Sequence, residues 1–235
     1  MQEHVVIVGG SSGMGRALAE ELVAQGSEVT VAGRSPDKLD AVRRELGVQT
    51  VAMDIGVEED IERLFATTGK VNHIVTTAAD VGGAYQPISE YDVNAARSAV
   101  DSKLFGPLLL AKHGASMLEP GGSIVFTSGI AAYRPGPRAS LLAALNGALA
   151  SLAAALAVEL APIRVNVVSP GWVDTTIWQD VAGDAAAATL AAMAARLPAG
   201  RIGRTQDIAA AIIALLRNGF ITGTVLHADG GHRLV

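Results

Sequence analysis

Cysteine is absent from this sequence of 235 residues, and aromatic residues make up only 4% of it. The absence of cysteine excludes disulfides and thiolate metal sites and fits a reducing compartment, so we expect a cytoplasmic protein. Charged residues are also few, at 17%, while hydrophobic residues reach 50%, which excludes a disordered chain. With a net charge of −5, the sequence lacks the clustered Lys and Arg that a nucleic-acid partner requires.

Neither a secretory leader nor a membrane span is expected. The first four residues run directly into a strand pattern, which leaves no room for a charged segment followed by an apolar one. Residues 139–161 form the most apolar stretch, but alanine dominates it, and Asn146 and Glu159 interrupt it. This composition is typical of a buried or interface helix rather than a transmembrane one. We therefore predict a soluble protein that has no membrane partner.

Short β-branched runs alternate with longer helical patterns along the chain. The runs predict seven strands, at Val5–Val8, Glu28–Ala32, Thr50–Met53, His73–Thr76, Ser123–Thr127, Arg164–Val168 and Thr224–His227. Most strand residues are apolar, as expected where helices cover both faces of a parallel sheet. We predict one α/β domain over residues 1–235, a Rossmann-type, doubly wound sheet of seven parallel strands. Residues 175–203 break the alternation, and we expect them to form a lid over the ligand crevice.

A glycine-rich turn joins the first strand to the first helix. Gly9 permits a tight turn, Gly13 permits close approach of the backbone to a pyrophosphate, and Gly15 permits the helix to pack against the strand. The free N–H groups of the helix and its positive dipole end then face the phosphates. The same turn brings three further residues to the predicted cofactor, namely Ser11, Ser12 and Met14.

The spacing Gly-x-x-x-Gly-x-Gly of this turn resembles that of the short-chain dehydrogenase/reductase family. The resemblance continues through Asp54-Ile55, residues 164–166, residues 170–175 and residues 229–231, so it covers essentially the whole chain. It implies that Asp54 and Ile55 contact the adenine of a nicotinamide cofactor and that Ala78 lines the cofactor. It also implies that Thr175 and the Val173 backbone hold the nicotinamide carboxamide, and that Pro170 and Gly171 bind the cofactor beside them. Val8 replaces a family Thr, so the hydrogen bond by which that Thr orders the turn is expected to be absent.

The end of the second strand predicts which nicotinamide cofactor binds. Relatives that use NAD carry an acidic residue there, whereas this strand ends Val31-Ala32-Gly33-Arg34-Ser35. A guanidinium suits a 2′-phosphate because it can form bidentate, charge-assisted hydrogen bonds. We predict that Arg34 and Ser35 bind NADP(H). Alternatively, Arg34 stacks on adenine, which is compatible with either cofactor.

Two positions of the family's catalytic set hold leucine. The family carries a Tyr-x-x-x-Lys pair on the helix after a catalytic Ser, and Ser128 fits the Ser position. Counting on by the family's usual spacing reaches Leu141 and Leu145, which can neither donate a proton nor lower a neighbour's pKa. Lys103 replaces a family Asn. A desolvated Lys can serve as acid or base, so Ser128 and Lys103 are the predicted catalytic residues. The alternative for Lys103 is a solvated lysine on a helix.

The predicted substrate is a small molecule, a carbonyl compound or an imine or iminium ion. An iminium ion needs no acid, because hydride addition gives a neutral amine directly. The residues expected to contact this substrate are Ser128, Tyr133, Leu141, Trp172 and Trp178. The alternative for the two tryptophans is packing within the lid. The rival to an enzyme is a catalytically inactive NADP-binding protein with a sensing or assembly role.

Two further expectations concern metals and subunits. The five histidines show no ligand spacing, so no metal site is predicted. The resemblance implies a homotetramer or homodimer, with an interface formed by the predicted helices Ala95–Met117 and Ala139–Leu160.

Overall fold

The structure of the protein is a computed structural model that describes residues 3–175 and 183–235. Its seven strands are β1 His4–Val8, β2 Glu28–Gly33, β3 Gln49–Ala52, β4 Val71–Thr76, β5 Leu118–Thr127, β6 Arg164–Pro170 and β7 Val225–Ala228. They form one sheet in the order β3-β2-β1-β4-β5-β6-β7, and every neighbouring pair is parallel. The predicted seven-stranded parallel sheet is confirmed.

Helices cover both faces of this sheet. They are α1 Gly13–Ala24, α2 Pro36–Leu46, α3 Glu58–Thr68, α4 Val93–Val100, α5 Gly106–Gly114, α6 Ser140–Glu159, α7 Ala186–Ala194 and α8 Thr205–Arg217. One core layer packs α1, α2 and α8 on the sheet, with Leu18, Val42 and Ile212 fully buried in it. The opposite layer packs α3, α5 and α6, with Leu64 and Leu110 at its centre. The doubly wound Rossmann-type arrangement is therefore also confirmed.

The strand order reverses direction between β1 and β4, and this point positions the site. From β1 the chain winds outward through β2 and β3, and it then returns to β4 on the other side of β1. Crevices at such a switch point, outside the carboxyl ends of the strands, are where parallel sheets bind ligands. The backbone closes around the crevice, since Gly9 N donates to Ala32 O at 2.8 Å and Thr77 N donates to Val8 O at 2.8 Å.

The helix predicted over Ala95–Met117 is interrupted in the structure. Between α4 and α5 lies one π-helical turn, Asp101–Phe105, in which Gly106 N–H donates to Asp101 O. Pro107 gives the physical reason: it has no N–H to donate to the carbonyl of Lys103 four residues earlier, so the regular ladder cannot continue there. Such turns are frequent at functional sites. Here the turn contains Lys103.

Helix α6 is the longest helix of the described residues, and it is strongly apolar. By length and composition alone it could cross a membrane, a test that the core helix of a soluble protein also passes. Its inner face packs on the sheet through Leu149, Ala153 and Leu156, against Val165 and Val167 of β6. The helix thus covers the sheet, in line with the predicted buried or interface helix.

The two ends of the predicted lid are fastened together. Gly203 N donates to Trp172 O at 2.9 Å, and Asp174 N donates to Gly203 O at 2.9 Å. In the described part of the lid, α7 and the turn after it are anchored by the buried side chains of Met193 and Leu197.

Candidate active site

The glycine turn after β1 is packed too closely for side chains at two positions. A Cβ on Gly9 would lie 2.5 Å from Ala78 N, and one on Gly15 would lie 2.4 Å from Gly9 O. Gly9 also has a φ of 94°, which disfavours residues other than glycine. The turn is ordered by Thr77, whose Oγ1 donates to Gly9 O at 3.1 Å. The resemblance expects a Thr at the position of Val8 to order this turn. Here Thr77, which follows β4, forms a hydrogen bond to the turn instead.

A cleft of about 380 Å³ runs along this turn. The turn itself contributes Gly9, Ser11, Ser12, Gly13 and Met14, while the other edge of the crevice contributes Arg34, Ser35, Asp54, Ile55, Ala78 and Thr175. Gly15 is buried beneath the turn. At the start of α1 the Ser12 side chain caps no backbone N–H, so the amide donors of the first turn face the cleft. Free backbone N–H groups next to glycines, which have no side chain to block a ligand, can bind a pyrophosphate.

Asp54 and Ile55 lie at the end of the cleft beyond β3. The Asp54 carboxylate accepts from Gly56 N at 2.9 Å, and the Asp54 N–H donates to Asp60 Oδ2 at 2.8 Å. These two contacts fix the loop after β3 so that Asp54 and Ile55 line the cleft. This is the place where the resemblance expects adenine.

Two basic side chains line the cleft at the end of β2. Arg34, which is exposed, forms an ion pair with Asp80 at 3.3 Å, and Lys38 stands on the first turn of α2. Ser35 caps that helix by accepting from Lys38 N at 3.5 Å. Lys38 and Asp80 were missed by the sequence reasoning. The signal for Lys38 was its position one helical turn after Arg34, whereas Asp80 is brought to Arg34 only by the fold.

A second cavity, of about 810 Å³, adjoins the cleft. Met14, Thr77, Ala79 and Thr175 line both spaces, so the cavity opens onto one end of the cleft. Predicted residues in its wall are Lys103, Ser128, Tyr133, Pro170, Gly171, Trp172 and Val173. The lid contributes Thr189, Met193 and Arg196. The structure therefore brings these predicted substrate and nicotinamide residues together. Of the other predicted substrate residues, Leu141 does not line the cavity and Trp178 lies outside the described residues.

Lys103 is buried rather than solvated, which excludes the alternative of a solvated helix lysine. Only 7% of it is exposed, and its Nζ donates to Thr127 O at 3.2 Å. Burial lowers the pKa of Lys103 to about 8. Among the described residues, no aspartate or glutamate side chain lines the cavity, and desolvation is the cause of the lowered pKa of Lys103.

Ser128 lies at the carboxyl end of β5, next to the carbonyl that holds Lys103. Its Oγ donates to the main-chain oxygen of Asn146 at 3.0 Å, and its N–H donates to Val168 O at 2.9 Å. The hydroxyl proton is therefore committed to helix α6, while the oxygen can still accept a hydrogen bond from a ligand.

Helix α6 presents Leu142 and Asn146 to the cavity, whereas Leu141 and Leu145 do not line it. Leu145 is buried in a small apolar cluster with Ala84, Ala99 and Leu142, and Leu141 packs at the edge of that cluster. The placement of Leu141 at the substrate is therefore corrected to Leu142. The physical reason is that each residue of a helix turns by about 100°, so one extra residue in the preceding loop changes which side chains face the cavity.

Aromatic and imidazole rings pack in pairs around the cavity. Tyr133 meets His227 edge to face with ring centroids 4.5 Å apart, and Trp172 meets His232 in the same way at 6.3 Å. Tyr133, Trp172 and His232 line the cavity itself. His232 was missed because nothing in its sequence spacing marks it.

The chain can now be compared with known proteins. The family model described as enoyl-(acyl carrier protein) reductase matches residues 8–233. The short-chain dehydrogenase/reductase malC of Malbranchea aurantiaca is 33% identical, over 97% of this chain and 94% of that protein. The solved structure of the MalC reductase/Diels-Alderase from Malbranchea aurantiaca superposes with a TM-score of 0.93 at 32% identity, covering 100% of this chain and 97% of that one.

A second solved structure bears on the cofactor. A small-chain dehydrogenase in complex with NADPH superposes with a TM-score of 0.85 at 34% identity, covering 100% of both chains. Its fold and the glycine cradle described above agree on a nicotinamide cofactor as the ligand of the cleft. This protein is a member of the short-chain dehydrogenase/reductase family and an oxidoreductase of that type.

Proposed function

We propose that this protein is an NADP(H)-dependent oxidoreductase that reduces a small imine or iminium compound, and ordinary ketones only poorly. The observation that carries the proposal is that α6 presents Leu142 and Asn146 to the cavity. We assign these two positions to the family's proton donor and to the lysine four residues after it. General acid catalysis contributes roughly 10²–10⁴-fold, or about 3–5 kcal/mol, which a leucine cannot supply.

The preference for NADP(H) rests on charge at the end of β2. Arg34 and Lys38 both line the cleft, and Arg34 can offer two parallel N–H donors to a phosphate. Gly33 gives no carboxylate to a ribose hydroxyl at that strand end. In support, a relative of known structure was solved with NADPH.

The cofactor, when bound, supplies the hydride, and the side chains of the cavity position and protonate the substrate. Lys103 is mostly protonated at neutral pH, and it can transfer a proton from Nζ to an imine nitrogen. A carbonyl oxygen is far less basic than an imine nitrogen, so the same amine protonates it poorly. Ser128 Oγ can accept an N–H from the substrate, while Leu142 and Trp172 exclude water from the reacting carbon.

Rates of NADPH oxidation test the proposal. Cyclic imines and iminium ions should be reduced faster than ketones of the same shape. The double variant Leu142→Tyr/Asn146→Lys should raise ketone reduction by at least tenfold. The control Leu141→Tyr/Leu145→Lys, one residue out of register, should not raise it, because neither Leu141 nor Leu145 lines the cavity. Faster reduction of ketones than of imines by the native protein would contradict the proposal.

The rival function is a catalytically inactive protein that binds NADP. The same two positions, Leu142 and Asn146, favour it, because both lack the titratable groups of the family. Tight binding of NADPH together with no oxidation of it by any imine, iminium or ketone would favour this rival.

We further propose a homodimer or homotetramer. Val158 on α6 is 81% exposed. Phe105, directly before α5, is 49% exposed, and Leu108 on α5 is 40% exposed. A second copy of the chain would remove this apolar surface from water. Sedimentation should therefore give a multiple of the chain mass of 24.0 kDa at micromolar concentration, and Val158→Asp should shift it towards the monomer.

A further inference from the structure

Lys103 differs from the other three lysines of the chain in its surroundings. Lys112 forms an ion pair with Glu58, Lys70 is exposed with its Nζ on Ser116 O, and Lys38 is exposed at the cofactor cleft. Lys103 alone is buried, in the wall of a cavity of about 810 Å³ that could hold a small molecule.

The contacts of Lys103 leave its amine available for reaction. The hydrogen bond of its Nζ is to the neutral carbonyl of Thr127, at 3.2 Å, and no acidic side chain of the described residues lines the cavity. Burial lowers its pKa to about 8, so about one in ten of these side chains is neutral at pH 7. For an exposed lysine the neutral fraction is about one in three thousand. A desolvated lysine of this kind is the amine that attacks carbonyl compounds in proteins.

We propose that Lys103 is a nucleophile that captures small aldehydes and unhindered ketones in this cavity as a Schiff base. The lone pair of the neutral Nζ forms a bond to the carbonyl carbon while the C=O π bond breaks, and one amine proton passes to the oxygen to give a carbinolamine. The C–O bond then breaks, the oxygen leaves as water with the remaining amine proton, and a C=N bond to Nζ remains. The step is reversible and needs no oxidant or reductant.

The cavity wall defines the class of carbonyl compound. Leu142, Trp172 and Tyr133 provide apolar and aromatic surface, so aromatic or aliphatic aldehydes fit this cavity. Arg134 and Arg196 also line it, so a negatively charged substituent is favoured over a positively charged one. The proposal concerns the same cavity as the proposed reductase but does not depend on hydride transfer, and it is tested without NADPH.

The test is reductive trapping with benzaldehyde and sodium cyanoborohydride at pH 7.5, followed by peptide mapping by mass spectrometry. Cyanoborohydride reduces the C=N bond to a stable secondary amine, and mapping separates Lys103 from the α-amino group and the other lysines. We expect labelling of Lys103 at least tenfold faster than of Lys38, Lys70 or Lys112. The rate at Lys103 should also saturate with benzaldehyde concentration and level off above pH 8.

Two variants complete the test. Lys70→Gln should leave the labelling of Lys103 unchanged, whereas Lys103→Arg keeps the positive charge but should lose the fast label. If Lys103→Arg fails to fold, the map of the native protein decides alone. If the lysines are labelled in proportion to their exposure, with Lys103 slowest, the proposal is wrong. That result would not contradict the proposed reductase function, because the assay contains no NADPH.

Discussion

Replacing Lys103 with methionine should raise the free energy of unfolding at neutral pH. It should also abolish the rise of that free energy above pH 8 that we expect for the native protein. Below pH 8 both the folded and the unfolded chain carry the charged amine, so the cost of burying it is fully present. Between about pH 8 and 10.5 the folded chain loses this proton while the unfolded chain still holds it. The free energy of unfolding of the native protein therefore rises with pH in this window.

The magnitude follows from the two pKa values. The difference between the ordinary value of 10.5 and about 8 corresponds to about 3 kcal/mol. Methionine loses the hydrogen bond to Thr127 O, which costs about 1 kcal/mol. We therefore expect Lys103→Met to be more stable than the native protein by about 2 kcal/mol at pH 7 and less stable by about 1 kcal/mol at pH 10.5.

The assay is urea unfolding of both proteins between pH 7 and 10.5 at one fixed protein concentration, because association changes apparent stability. Other groups that titrate in this range are common to both proteins and cancel in the difference. Lys70→Met is the matched control, since Lys70 is exposed, and its difference from the native protein should not change with pH. If the difference in free energy of unfolding between Lys103→Met and the native protein is also independent of pH, the reasoning is wrong.

Three further predictions concern the cofactor cleft. Arg34→Ala should weaken NADPH binding by about 1–3 kcal/mol in fluorescence titrations and leave NADH binding nearly unchanged. Asp80→Asn should strengthen NADPH binding by up to about fivefold, because Asp80 competes with the 2′-phosphate for Arg34. If the substitution instead weakens NADH binding, Asp80 binds the ribose. Gly15→Ala should lower the free energy of unfolding by about 1–3 kcal/mol or more, because the Cβ of the new alanine would lie 2.4 Å from Gly9 O. Gly219→Ala is its control, in open space.

Local patterns in the sequence were sufficient for the fold and for most of the cofactor cleft. The strands are runs of apolar β-branched residues between turns, so their existence follows from nearby residues alone. Gly9, Gly13 and Gly15 stand together in seven consecutive residues, and their place between a strand and a helix fixes what they do. Arg34 lines the cleft, and its place there could be predicted because it lies two residues beyond the predicted strand Glu28–Ala32.

The cavity next to the cofactor cleft was predicted less well, because its lining depends on the path of a loop. Between Ser128 and α6 the chain makes a 3₁₀ turn at Ile130–Ala132 and takes a positive φ of 68° at Arg138. Neither feature has a spacing that can be read from the residues, so counting along the sequence reached Leu141 instead of Leu142.

The sequence by itself determined the α/β architecture, the glycine cradle and the absence of Tyr and Lys from the helix Ser140–Glu159, since each depends on residue type and short spacing. Tertiary structure decided that Leu142 and Asn146 face the cavity, that Lys103 is buried, and that Asp80 pairs with Arg34. Burial and charge pairing arise from residues far apart in the chain. They therefore depend on how helices and loops pack on the sheet, which no local pattern records.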